Sequence, residues 1–147
     1  MIEFFVPGTP APAGSKRAFT PKGWKRPIIT DACKRTKPWQ QEIKSVAIEN
    51  YQGDLLAGAL RLTLVFRVAR PQGHMRTGKN AGEVRESSPT WPIVKPDVLK
   101  LTRAVEDALT GIIWRDDSQI VQEVLSKVYT LGSTGVQIKI ENATYEF

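Results

Sequence analysis

The chain has 147 residues, 41% hydrophobic and 24% charged, a composition that fits one soluble domain with a sizeable core and excludes a disordered chain. No apolar run approaches the roughly 18 residues of a membrane span, and the opening MIEFFVPGTP lacks the basic-then-apolar layout of a signal peptide, so a cytoplasmic location is expected. The net charge is +6, and it is unevenly placed: residues 1–40 carry eight basic side chains against two acidic ones, while the remainder balances at thirteen of each. An excess confined to one end suits a polyanionic partner, nucleic acid above all, though a basic solvated face explains the charge about equally well. The single cysteine, Cys33, excludes an intrachain disulfide and cannot build a zinc site by itself; it reads as a packing residue.

In chain order, the apolar run at 2–6 reads as a strand ended by Pro7 and Gly8. The Pro- and Gly-rich stretch that follows reads as a loop carrying Lys16, Arg17, Lys22, Lys25 and Arg26 beside Phe19 and Trp24, with a small strand at IIT (28–30). Trp39, Ile43, Val46 and Ala47 fall at helical spacing within 37–51, with Pro38 tolerated in the first turn. In ALRLTLVFRVAR the residues Leu60, Leu62, Leu64, Phe66 and Val68 alternate with mostly polar ones, the clearest strand signal in the chain. Residues 71–94 form a long polar loop holding Arg76, Lys79, Glu83, Glu86 and the lone His74, read as an arm that closes over a ligand. His74 is more simply an incidental or phosphate-contacting residue than a catalytic one.

Val98, Leu101, Val105, Ala108 and Leu109 make one apolar helical stripe closed by Gly111, with Asp97 at the N-cap position and Lys100, Arg103 and Asp107 on the opposite face. After it come Asp116 and Asp117, then SQIVQEVLSKVYT, whose period is ambiguous, and an LGSTG turn into alternating Val136, Ile138 and Ile140. The turn argues that these last two segments pair as a hairpin. The whole reads as a single α+β domain over 1–147, a small mixed sheet with two main helices packed on it.

Each acid has a structural explanation: Asp97 caps a helix, and Asp116 and Asp117 make a turn. Their arrangement suggests more. If the intervening helix runs back along the sheet, Asp97 approaches the pair, and carboxylates crowded in a partly dry cleft are relieved by a hard cation such as magnesium. The sequence holds no phosphate-binding glycine loop, dinucleotide fingerprint, zinc-protease motif or nucleophile elbow to compete with this chemistry.

The stretch KPDVLKLTRAVEDALTGIIWRDDSQI (95–120) resembles the signature of the RusA family of Holliday junction resolvases, a Lys-Pro-Asp-x-Asp-Asn-Leu-x-Lys run followed by Asp-Ala-Leu-x-Gly and Asp-Asp-x-Gln-Ile. The likeness extends more loosely to VPGTPAPAGSKRAF and the helix after it. It implies a homodimeric nuclease, bacterial or phage-encoded, that cuts branched DNA with Mg2+ or Mn2+. By the same resemblance Asp97 and Asp117 are metal-binding catalytic acids with Asp116 beside them, and Arg103 stands in the place of a catalytic lysine. Lys16, Arg17, Lys22, Lys25, Arg26, Lys100, Arg76 and Lys79 are the DNA-contacting candidates, and Asp107 is structural. One departure stands out: Leu99 occupies the place of the family's second aspartate and Lys100 that of its asparagine. By helical geometry Leu99 lies beside Glu106 and off the apolar stripe. Its loss of a carboxylate implies weaker metal affinity, recruitment of Asp116, Glu83 or Glu86, or loss of cleavage.

Overall fold

Alternation and helical periodicity build two layers. In the computed structural model, which describes residues 1–14, 16–31 and 33–145 with the side chains of 16, 17 and 29–31 excepted, the elements run as follows. Strands β1 (Ile2–Pro7), β2 (Lys16–Phe19) and β3 (Ile28–Asp31) precede α1 (Thr36–Asn50), then come β4 (Leu60–Ala69), α2 (Val98–Leu109), β5 (Ile120–Thr130) and β6 (Gly135–Asn142). Leu60, Leu62, Leu64 and Phe66 of β4 are fully buried, as are Val136, Ile138 and Ile140 of β6 and Val6 of β1, so one face of the main sheet is apolar. Both helices cover that face. Trp39, Ile43 and Ala47 of α1 and Leu101, Ala104, Val105, Ala108 and Leu109 of α2 close the core, with Trp114 filling the end of it.

Among the described residues no helix covers the other face of the sheet. There Arg61 and Lys139 each reach Glu141 at 3.8 Å, and the Arg67 guanidinium lies 5.5 Å from the Phe5 ring centre. The α+β architecture read from the sequence is the one observed. Among the described residues no helix is long and apolar enough to cross a membrane.

Two local readings change. The Pro- and Gly-rich N-terminal stretch contains a small antiparallel pair, β2 with β3, forming a separate two-stranded sheet. The expected hairpin of β5 with β6 does not form: the strand order is β1-β6-β4-β5, with β4 antiparallel to β6 and parallel to β5. The physical reason is reach. A two-residue turn would force adjacency, but the four residues at 131–134 span up to about 13 Å, enough to cross one intervening strand at roughly 4.8 Å per spacing. The strand with the strongest apolar alternation thereby takes the central position, and β5 is left at the edge.

Candidate active site

Helix α2 starts where the chain leaves the long arm. Lys127 of β5 donates from Nζ to the carbonyls of Val94 and Pro96 at 2.8 and 2.9 Å, which fastens this entry to the edge strand. Asp97 then takes the N-cap position, where its backbone oxygen accepts from the amides of Lys100 and Leu101, both at 3.1 Å. Its carboxylate makes no capping hydrogen bond and is exposed. The structural role expected of Asp97 is therefore carried by its backbone alone, and the side chain is left for other work.

Asp116 behaves in the opposite way. It caps the 3-10 turn at Asp117–Gln119 by accepting from the Ser118 amide at 2.9 Å, and that backbone hydrogen bond, with others from the Ser118 hydroxyl and Asp117, holds its carboxyl below the usual range. Gln119 completes the turn with four hydrogen bonds: its Oε1 accepts from the amides of Arg115 and Asp116 at 3.0 and 3.1 Å, and its Nε2 donates to the carbonyls of Leu56 and Gly58 at 2.9 and 3.1 Å. The turn is fastened on both sides, and Asp117 stands exposed at its start.

The groove between α2 and β5 holds two acids that the sequence reading did not assign to the site. Glu106 on α2 and Glu123 on β5 are close enough for a hydrogen bond between their carboxyls once one of them is protonated. Burial first, then that hydrogen bond and the charges of Glu123, Asp117 and Asp107, push Glu106 up to about 8. Glu123 has the same parity as Leu125, which lines a slot with Asp97, Val98 and Lys127, so one face of β5 leads from Asp97 to the Glu106–Glu123 pair. From Asp97 to Glu106 the helix rises roughly 13 Å. Asp97 and the later acids thus line opposite stretches of one groove, and the convergence of Asp97, Asp116 and Asp117 into a single cluster is not seen: among the described residues no three Asp, Glu, His or Cys side chains are disposed to hold a metal ion. Two signals pointed to the missed acids, namely the seven-residue spacing of Leu99 and Glu106 on one helical face and the period of two in β5; the second was masked by its equal fit to a helix.

Leu99 lies between them and is 69% exposed, so packing does not demand it. Arg103 is exposed, with its side chain against Gly14, where an added Cβ would come within 2.9 Å of its Cδ. Lys100 is exposed and lines a pocket with Asp97, Lys95, Arg35 and Cys33. Lys22, Lys25 and Arg26 are exposed on the segment joining β2 to β3. The side chains of Lys16 and Arg17 lie outside the described residues. On the arm, Lys79 is exposed and Arg76 approaches Glu83 at 3.6 Å, so part of the arm's positive charge is locally offset, and Glu86 is exposed. His74 is held edge-on to Tyr129 with ring centres 5.4 Å apart, and the Arg70 guanidinium stacks on the same ring at 4.5 Å. The base of the arm is therefore pinned to β5, and His74 has a structural occupation there.

Against known proteins, residues 7–141 match the model of the family described as endodeoxyribonuclease RusA. The chain is also 30% identical over 130 residues to the uncharacterized protein YqaN of Bacillus subtilis (strain 168), with 88% of each chain covered. A match that spans nearly the whole fold, with the Asp97 and Asp117 segments inside it, identifies the chain as a member of the RusA endodeoxyribonuclease family.

Proposed function

We propose that this chain is a divalent-metal-dependent endodeoxyribonuclease that resolves Holliday junctions and other branched DNA as a homodimer, cutting one strand at each of two sites. The observation that carries the reading is the uncapped carboxylate of Asp97 at one end of an acid-lined groove, within a chain of this family. The donors available in the groove are carboxylate oxygens, the set that Mg2+ or Mn2+ prefers. Asp97 at one end of the groove, and Asp117 with Glu106 and Glu123 at the other, are the carboxylates that would take up an ion, with Asp116 fixing the turn beneath Asp117. When bound, such an ion offsets phosphodiester charge and acidifies a water for attack.

The remaining work falls to the chain's own residues. Arg103, exposed on the helix face leading from Asp97, holds the leaving oxygen by a charge-assisted hydrogen bond, and the exposed Lys100 holds the DNA backbone beside it. Glu106 keeps its proton up to about pH 8, so below that pH the pair carries less negative charge than two free carboxylates. The exposed Lys22, Lys25 and Arg26, with Lys16 and Arg17, supply the salt-dependent grip on the backbone. Two-fold symmetry of a homodimer matches the two-fold symmetry of the junction.

The test is a synthetic four-way junction incubated with the protein and Mg2+. Cutting is expected, and Asp97→Asn and Asp117→Asn should each abolish it while keeping junction affinity in EDTA. Undiminished cutting by both variants removes the site. A second reading is favoured by Leu99 specifically: a junction-binding protein that occupies or remodels branched DNA without cutting it. A gel shift with no nicking at any Mg2+ or Mn2+ concentration supports that reading, and recovery of cutting in Leu99→Asp locates its cause.

A further inference from the structure

Asp97 borders two cavities. On the side away from β5 lies a pocket of about 370 Å³ between the starts of α1 and α2, lined by Pro12, Cys33, Arg35, Lys95, Asp97 and Lys100, with the ring of Pro96 in its wall. Three cations face one carboxylate there. Helix α1, 15 residues long, begins at the pocket with no side-chain cap and no acid in its first turn, so its positive end is not neutralised locally. Cys33, partly exposed, lines the same pocket beside Arg35.

We propose that this pocket is a seat for a DNA backbone phosphate, gripped by Arg35 and Lys100, that sets which neighbouring phosphodiester lies at Asp97. Its volume admits one phosphate group with several waters, at roughly 30 Å³ per water. The role is positional. Arg35 can present a planar fork to two phosphate oxygens while Lys100 supplies a point charge from the opposite wall. The proposal rests on the nuclease reading only in taking DNA as the ligand, and its test needs no cutting.

Because Cys33 is the chain's one cysteine, its rate of alkylation by a maleimide reads occupancy of the pocket in the unmodified full-length protein. In EDTA, a saturating four-way junction should slow alkylation at least about tenfold, and Cys33→Ser should take up no label. Inorganic phosphate at matched ionic strength should give little protection; protection equal to that by DNA would make the pocket a free-anion site and overturn the assignment. Arg35→Ala should lose most of the protection, weaken junction binding about fivefold to tenfold and reduce the slope of log K against log salt by about 1, with Arg35→Lys recovering part of the affinity. At saturating DNA its cuts should spread to neighbouring phosphodiesters, read by end-label mapping, and an unchanged cut position would overturn the positional role. Lys139→Ala, on the uncovered face of the sheet, controls for loss of one charge and should leave the salt slope unchanged. Wild-type cutting without protection of Cys33 sinks the phosphate seat and leaves the nuclease reading standing; protection without cutting does the reverse.

Discussion

Replacing Glu106 by Gln tests the electrostatics of the groove directly. In the folded chain, burial and the neighbouring Glu123, Asp117 and Asp107 move the Glu106 carboxyl from 4.5 to about 8. The folded state therefore keeps a proton through a window in which the unfolded chain has released it, so stability falls as pH rises from about 4.5 to about 8 and levels off above that. Unscreened, the change corresponds to about 5 kcal/mol. Glu106 is half-buried, and solvent screening lowers the expected loss to about 1–2 kcal/mol. Urea unfolding at pH 5, 6, 7 and 8.5 in EDTA should show wild type losing that amount across the series relative to Glu106→Gln, with the two proteins closest at pH 5. Adding 10 mM Mg2+ at pH 8.5 should return roughly 1.4 kcal/mol to wild type if the ion dissociates near one tenth of that concentration, and much less to the variant. Parallel pH profiles would falsify the raised carboxyl, and an equal response to Mg2+ would remove Glu106 from the metal-holding set.

Leu99→Asp should change stability by less than about 0.5 kcal/mol, because the side chain is 69% exposed, while lowering the Mg2+ concentration for half-maximal junction cutting by roughly tenfold; a titration of cutting against Mg2+ decides it. Gln119→Ala removes four hydrogen bonds from the turn that presents Asp117 and should cost about 2–3 kcal/mol in urea unfolding, with a larger proportional loss of cutting than of junction binding. Gly135→Ala places a Cβ within 2.0 Å of the Val6 carbonyl oxygen at a φ of 150°, so β1 must part from β6; a loss of at least about 3 kcal/mol is expected, read as a fall in Tm. Leu64→Ala, at a fully buried site in the central strand, should cost about 3 kcal/mol by the same measurement without shifting the Mg2+ dependence of cutting.

The parts of the fold that were legible are those where one periodicity has no rival. The alternation of Leu60 to Phe66 and the stripe from Leu101 to Leu109 each fit a single element, and each forms as read. The β5 segment fits two periods because as an edge strand it keeps Val121 and Val124 exposed, at 60% and 54%, and so lacks a clean apolar alternation. Its partner could not be read either, since a four-residue link is compatible with adjacency or with crossing one strand. For the site, residue type and spacing gave the positions of Asp97, Asp116 and Asp117 but not the use of each side chain. Whether an N-cap aspartate spends its oxygen on an amide depends on φ, ψ and the neighbouring turn, and here Asp116 does so while Asp97 does not. Glu106 and Glu123 are 17 positions apart on different elements, and only the antiparallel run of α2 over β5 makes them neighbours.

That run also explains why leucine is tolerated at 99. A carboxylate there would stand on the helix face shared with Glu106, between Asp97 and the Glu106–Glu123 pair, and a row of acids in one half-buried groove raises the cost of ionising each of them. Glu106 already holds its proton to about pH 8 with leucine in place. A further acid on that face would add to this repulsion, and a bound cation would relieve it. Leucine at 99 lowers that repulsion and keeps the acids around Glu106 apart from Asp97, which lines a pocket with Lys100. On the proposed reading, the same substitution would separate two properties that a row of aspartates would couple: affinity for branched DNA, which the basic pocket and N-terminal cations would supply without metal, and cutting, which would then require a higher metal concentration.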